Sequence, residues 1–244
     1  MAIQEPAPIV SGNIESLDTT RTDIQIRVTD AILKGRYSCR YYLPEPVPRH
    51  LIEEIIDAAR FAPSGNNTQP WEKVYCISGT TKQAIYTDIL QADPNKHRSQ
   101  YHYYPEGGLP IHHAERRQEA GRVYYDSLGI GREDAVARAK AFYGAPVAFV
   151  FTIHKNLDKG SWLDVGYFIQ SIHVASAARG LASVSQESIS QYHEVFRKHL
   201  PVSDDEIIAV GFAMGYPDLE KVDRYRAVQP KREVDDIVRF YGFD

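Results

Sequence analysis

The chain has 244 residues, enough to bury a sizeable core in one large domain or two small ones. With 43% hydrophobic and 25% charged residues it sits near the globular average, which excludes intrinsic disorder and collagen-like repetition. Lys plus Arg total 28 against 32 for Asp plus Glu, a net charge of −4; the basic excess that replaces phosphate counterions is missing, and no nucleic-acid partner is expected.

The 2 cysteines, Cys39 and Cys76, form no CxxC and are too few for a disulfide framework, which favours a reducing compartment. The most apolar segment, 145–153, is far shorter than a membrane span, and the opening residues lack a basic start followed by an apolar stretch. A cytoplasmic protein without a membrane partner is therefore expected.

Residues 1–20, with Pro6, Pro8, Ser11, Gly12 and Asn13, show no hydrophobic period and read as a flexible arm before a single domain over 21–244. Ile24, Val28, Ala31 and Ile32 recur at helical spacing, and Gly35 marks the stop, so 36–40 form a loop just past a helix. A second helical stripe from Leu51 to Ala59 ends before Pro63. The segment 63–71 (PSGNNTQPW) is too rich in turn formers for a regular element and reads as a shaped loop.

Strand composition over 73–78 is followed by a helix over 81–90. Residues 93–130 are a candidate lid, irregular and tyrosine-rich up to Pro110 and helical from Ala114 to Leu128. Beyond it come a buried strand over 146–153, a long helix from Leu163 to Ala178 stopped at Gly180, a strand over 181–185, a helix over 191–200 and a central strand over 207–214. A basic tail spans 223–244. This order predicts an α+β fold with a central mixed sheet flanked by helices.

Arg36, Ser38 and Arg40 put two guanidiniums and a hydroxyl on one short loop, a set suited to a phosphate monoester, with a solvated basic turn as the alternative. Ser64, Gly65, Asn67 and Gln69 concentrate amides and hydroxyls beside a glycine that admits close backbone approach, which suits a planar heterocycle; an ordinary polar turn with Trp71 in the core is the alternative. In the tail, Arg224, Arg226, Lys231 and Arg232 lie among acidic residues, the usual look of solvated charge.

In this order the first loop, the PSGNNTQPW loop, the late GYPD turn (215–218) and Pro230-Lys231-Arg232 resemble the nitroreductase family of flavoproteins from about Asp23 to Phe243. The segment 160–166 (GSWLDVG) further resembles its nitrobenzene and nitrobenzoate reductase-like branch. The resemblance implies an FMN-binding fold, an intertwined homodimer with two sites at the subunit interface, and NADPH or NADH as electron donor. It assigns Arg36 and Ser38 to the FMN phosphate, with Tyr37 where the family often has Arg or His, and Arg40 to flavin N1 and O2.

The same resemblance assigns Ser64, Gly65, Asn67 and Gln69 to the isoalloxazine or ribityl chain, from the opposite subunit. It sets Ser185, Gln186 and Glu187 near flavin N5, and Lys231 at the phosphate, with Arg226 or Arg232 as substitutes. Ping-pong reduction of a nitroaromatic or related electron-poor small molecule follows. A different acceptor (dehalogenation, enone reduction, oxidation of a biosynthetic intermediate) and a non-enzymatic flavin-binding protein are the alternatives.

No acid or base residue is assigned, since hydride chemistry belongs to the cofactor. Tyr101, Tyr103, Tyr104, Tyr124 and Tyr125 suit either an aromatic wall over the open flavin face or plain packing. His97, His102, His112 and His113 lack the spacing of a metal site and read as exposed loop residues, so no metal is expected. His173 and His193 read as helix packing or surface residues.

Overall fold

The computed structural model describes residues 19–93 and 95–243. Of the expected arm over 1–20, residues 1–18 lie outside the described residues, and helix α1 (Thr19–Gly35) takes up the last two. The chain divides into two compact units, Met1–Arg36 and Tyr37–Asp244. Within the first unit the helical spacing of α1 marks the helix but not a buried face, since Ile24 and Val28 are 50% and 53% exposed.

The second unit is built on a four-stranded sheet of order β1-β2-β4-β3. Its strands are β1 (Trp71–Ser78), β2 (Val147–His154), β3 (Ala182–Gln186) and β4 (Glu206–Gly215). The mixed sheet expected from sequence is corrected here: all three pairings are antiparallel. Strand–helix alternation in sequence does not fix strand direction, and each excursion returns the next strand against its neighbour. Among the described residues parallel pairing is confined to the isolated bridge between Ser38 and Ser183.

Both faces of the sheet are covered, which is why β2 reads as an unbroken apolar run buried along its first seven positions. On one face Phe149, Phe151, Phe212 and Met214 pack against Ile55 of α2 (Arg49–Ala59) and Phe168 and Ile172 of α6 (Lys159–Ala177). On the other, Val150, Val184, Ile208 and Ala213 pack against Ile85 and Ile89 of α3 (Gly79–Gln91) and Phe196 of α7 (His193–His199).

Gly211 shows how tightly this second layer closes. It pairs with Gln186 in the β3–β4 register, and a Cβ there would come within 2.7 Å of Ile189 Cγ2 in the 3₁₀ turn Glu187–Tyr192. The missing side chain lets the turn after β3 lie directly on β4.

Two helices, α4 (Ile111–Ser127) and α5 (Arg132–Lys140), occupy the excursion between β1 and β2, and α8 (Leu219–Tyr225) and α9 (Val234–Ile237) follow β4. Among the described residues no helix is long and apolar enough to cross a membrane.

Candidate functional site

The first loop is fixed by its attachment to β3. The Cys39 N–H donates to the Ser183 carbonyl at 3.2 Å, beside the Ser38–Ser183 bridge, and Tyr42 bridges to Pro217. A loop whose side chains would otherwise be solvated is thereby held along the sheet edge, next to Ser185, Gln186 and Glu187. The late GYPD turn closes the same corner: Leu43 N donates to Tyr216 O at 2.9 Å and Asp218 N donates to Tyr41 O at 3.0 Å.

A narrow, nearly filled crevice lies there, lined by Tyr37, Ser38, Arg40, Tyr41, Tyr124 and Arg226 among others. The Arg40 guanidinium lies 4.4 Å from the Tyr124 ring centre, and that of Arg226 lies 5.0 Å from the Tyr37 ring centre. Arg40 Nη1 also donates to Ser38 O at 3.2 Å. Yet Arg40 Nε, Tyr37 Oη and Tyr41 Oη are buried without a hydrogen-bond partner.

Unpartnered buried polar atoms are costly, and here three of them surround one cavity beside two guanidiniums. Burial pushes the Tyr37 hydroxyl up to about 12, so it stays protonated and able to donate. Burial raises the Tyr124 hydroxyl further in the same direction. The donor set is cationic and neutral, and suits an anion.

Arg138 of α5, which the sequence reading passed over, supports this wall: it donates to Arg40 O at 2.7 Å and stacks 4.2 Å from the Tyr41 ring centre. Of the tail cations, Arg226 lines the cavity, Arg232 donates to the Asp236 carbonyl on the tail itself, and Lys231 is exposed. Arg36 closes the first compact unit, where its N–H donates to Ile32 O at 3.0 Å.

The 64–69 loop is a separate and strongly preorganised piece. Asn66, Asn67 and Gln69 adopt positive φ values of 51°, 56° and 46°, a left-handed conformation that costs most side chains free energy. Ser64 holds it: its Oγ accepts from Gln69 N at 3.0 Å and its carbonyl accepts from Asn67 N at 3.0 Å.

Asp164 of α6 ties the loop down, with Oδ2 accepting from Gly65 N at 3.0 Å. This gives the GSWLDVG segment a job that the motif alone did not reveal. Trp71, at the loop's end, stacks on Phe168 at 4.6 Å. Gly65, Asn67 and Gln69 remain exposed. Among the described residues the loop's bonds run to itself and to α6, and none reaches the Arg40 cavity.

At the end of β3 the pleat separates the three candidate residues. Ser185 is exposed, while Gln186 is buried on the opposite face with Nε2 donating to Ala139 O at 2.7 Å. Glu187 accepts from Ser99 Oγ at 3.4 Å.

The tyrosines divide by position. Tyr124 is part of the cavity; Tyr101 donates to Ala209 O at 2.5 Å and packs on Trp162 at 4.5 Å, pinning the segment before α4; Tyr103 and Tyr104 pack edge-on against each other. The expectation of exposed loop histidines fails at His97, whose side chain is only 14% exposed and packs 5.5 Å from the Tyr192 ring. Among the described residues no three His, Cys, Asp or Glu side chains are grouped to hold a metal ion.

Helices on both faces of an antiparallel sheet, with a cationic crevice at its edge, suit a protein that binds an anionic small molecule, and the family comparison makes this specific: the chain belongs to the nitroreductase family, matched over residues 33–216. A 4-nitrobenzoate reductase from Pseudomonas putida is 34% identical over 88% of this chain and 96% of its own length. A nitrobenzene nitroreductase from Ectopseudomonas oleovorans is 30% identical over 86% of this chain and 96% of its own. The crystal structure of the FMN-dependent nitroreductase NfnB from Mycobacterium smegmatis in complex with NADPH superposes with a TM-score of 0.81 at 28% identity, covering 89% of this chain and 99% of that one.

Proposed function

We propose that this protein is an FMN-dependent NAD(P)H oxidoreductase that reduces nitroaromatic or related electron-poor small molecules. The carrying observation is the cavity at the β3 edge, where Arg40 Nε, Tyr37 Oη and Tyr41 Oη are buried and unpaired beside Arg226. Ser38 and Arg226 in this lining fit the phosphate of a flavin nucleotide, Arg40 fits the N1 and O2 edge of its ring, and the adjacent end of β3 fits the ring itself. FMN, when bound, supplies the hydride chemistry between nicotinamide and acceptor.

The chain's own residues bind and orient. Ser38 and Arg226 hold the phosphate; Lys231 and Arg232 are the other tail candidates for that contact. Arg40 stabilises negative charge at N1 and O2 of the reduced ring and so raises its reduction potential. Tyr37 closes the cavity floor, and Ser185, Gln186 and Glu187 border N5. Asp164 and Ser64 keep the 64–69 loop in its left-handed shape.

The protein works as a cytoplasmic homodimer in this reading, each 64–69 loop serving the partner's site. Its support is geometric: among the described residues the loop's hydrogen bonds run to itself and to Asp164, while Gly65, Asn67 and Gln69 stay exposed. Residues 93–130 act as the lid over the open face, with Tyr124 at its hinge on Arg40.

Purified protein is expected to be yellow, to bleach with NADH or NADPH under anaerobic conditions, and to recover colour on addition of a nitroarene. Bleaching without reoxidation by nitroarenes, but with reoxidation by quinones, enones or halophenols, moves the acceptor. A bound flavin that neither nicotinamide bleaches refutes the enzyme.

A further inference from the structure

A polar chain crosses the apolar layer between α6 and the sheet. The side chain of His173, on α6 and 7% exposed, lies between two serines of β3. Its Nδ1 is 2.7 Å from Ser183 Oγ and its Nε2 is 2.8 Å from Ser185 Oγ. The imidazole face packs on Phe212 at 4.6 Å, within a cluster of Phe149, Phe151, Phe168 and Met214.

Packing alone does not call for histidine there. A leucine would fill such a layer without polar atoms, and a polar group in it is tolerated only when hydrogen-bonded. What distinguishes the chain is where it ends. Ser183 is buried at 2% exposure and carries the carbonyl that receives Cys39 N, whereas Ser185, two residues on and on the same face, is exposed.

A neutral imidazole offers one donor and one acceptor nitrogen, so the two serine hydroxyls are polarised in opposite senses. In either tautomer Ser185 keeps one rotamer and presents its remaining hydrogen-bonding capacity outward. We infer that His173 is a positioning residue of the flavin site, fixing the Ser185 hydroxyl as a hydrogen-bonding partner for the bound isoalloxazine. This rests on the proposed function, through the placement of β3 beside the flavin ring.

Two conservative variants separate the inference from a purely structural role. In His173→Asn the amide falls near the place of Nδ1 and keeps the buried Ser183 bond while dropping Ser185. In His173→Gln it falls near the place of Nε2 and keeps Ser185. Apoprotein is titrated with FMN, read by quenching of flavin fluorescence, for wild type, both variants, Ser185→Ala and the His173→Asn/Ser185→Ala double variant.

Loss of one ordinary hydrogen bond predicts about threefold to tenfold weaker FMN binding for His173→Asn and for Ser185→Ala, with no further loss in the double variant. His173→Gln stays within about twofold of wild type, since the Ser185 bond is retained. A structural role predicts the reverse order, because Ser183 is the serine that burial makes costly to strand. Wild-type affinity in His173→Asn, or additive losses in the double variant, overturns the inference while leaving the flavin assignment intact. A wild-type protein that takes up no FMN overturns both.

Discussion

Asp164→Ala is the sharpest test of how the site is held. The 64–69 loop keeps three non-glycine residues at positive φ, a strain of about 3 kcal/mol at roughly 1 kcal/mol each. It is opposed by the two Ser64 bonds, the Thr68 N to Gly65 O bond at 3.1 Å, and the Asp164 contact to Gly65 N at 3.0 Å. A charge-assisted bond is worth about 1.5–3 kcal/mol, and with Gly65 exposed and Asp164 half-buried we take about 1 kcal/mol. Removing it shifts the closed-to-open ratio of the loop by about fivefold. Hydrogen exchange followed by mass spectrometry should show the amides of 65–69 exchanging faster by that factor, while those of β2 and β4 stay unchanged. FMN affinity should fall in parallel. Exchange at 65–69 equal to wild type would show that the loop holds its shape without α6, and the positioning argument would fail.

Further outcomes follow from the same geometry. Arg226→Ala should weaken FMN binding by about tenfold or more, since a desolvated anion loses a charge-assisted partner, and titration of apoprotein checks it; a larger loss in Lys231→Ala would return the phosphate contact to Lys231. Arg40→Ala should lower the flavin midpoint potential, and an unchanged value in spectroelectrochemistry would remove Arg40 from the ring. Gly211→Ala drives a Cβ to 2.7 Å from Ile189 and should cost about 1–3 kcal/mol in chemical denaturation. Asp218, which caps α8 and pairs with Lys221 at 2.6 Å, is held below its usual value of 3.8 chiefly by that hydrogen bond. A depressed carboxylate stabilises above its unfolded value and loses this as pH falls through the folded one. The advantage of wild type over Asp218→Asn in thermal melts should therefore hold at pH 7, shrink below pH 3.8 and vanish at lower pH.

Much of this architecture is written locally. The runs PVAFVFTI and IIAVGFAM are buried on both faces, so their apolar continuity marks β2 and β4 directly. Helix α5 escaped notice because REDAVARAK buries only Ala135 and carries no apolar stripe. Strand direction was equally hidden, since it depends on how long excursions return. The cationic loop at 36–40 and Tyr124 are candidates the sequence already offers, but Arg138 joins the Arg40 wall through tertiary contacts with no sequence signal. Asp164 is the clearest case: it meets Gly65 across 99 positions, and only folding brings the two together.

The stitching of residues 38–39 onto β3 also governs which lengths of chain can vary. Because Ser183 serves the first loop through its backbone and His173 through its side chain, both walls move as one body with the sheet edge. Inserting or deleting a residue between Ala182 and Glu187 flips the alternation that aims Ser185 outward and Gln186 inward, and a length change between Tyr37 and Tyr42 breaks the spacing between the Ser38–Ser183 and Tyr42–Pro217 bridges. The turn at 105–108, with Gly107 and Gly108 at positive φ and open space around each Cβ position, bears no such constraint. An engineered insertion at that turn is expected to be tolerated.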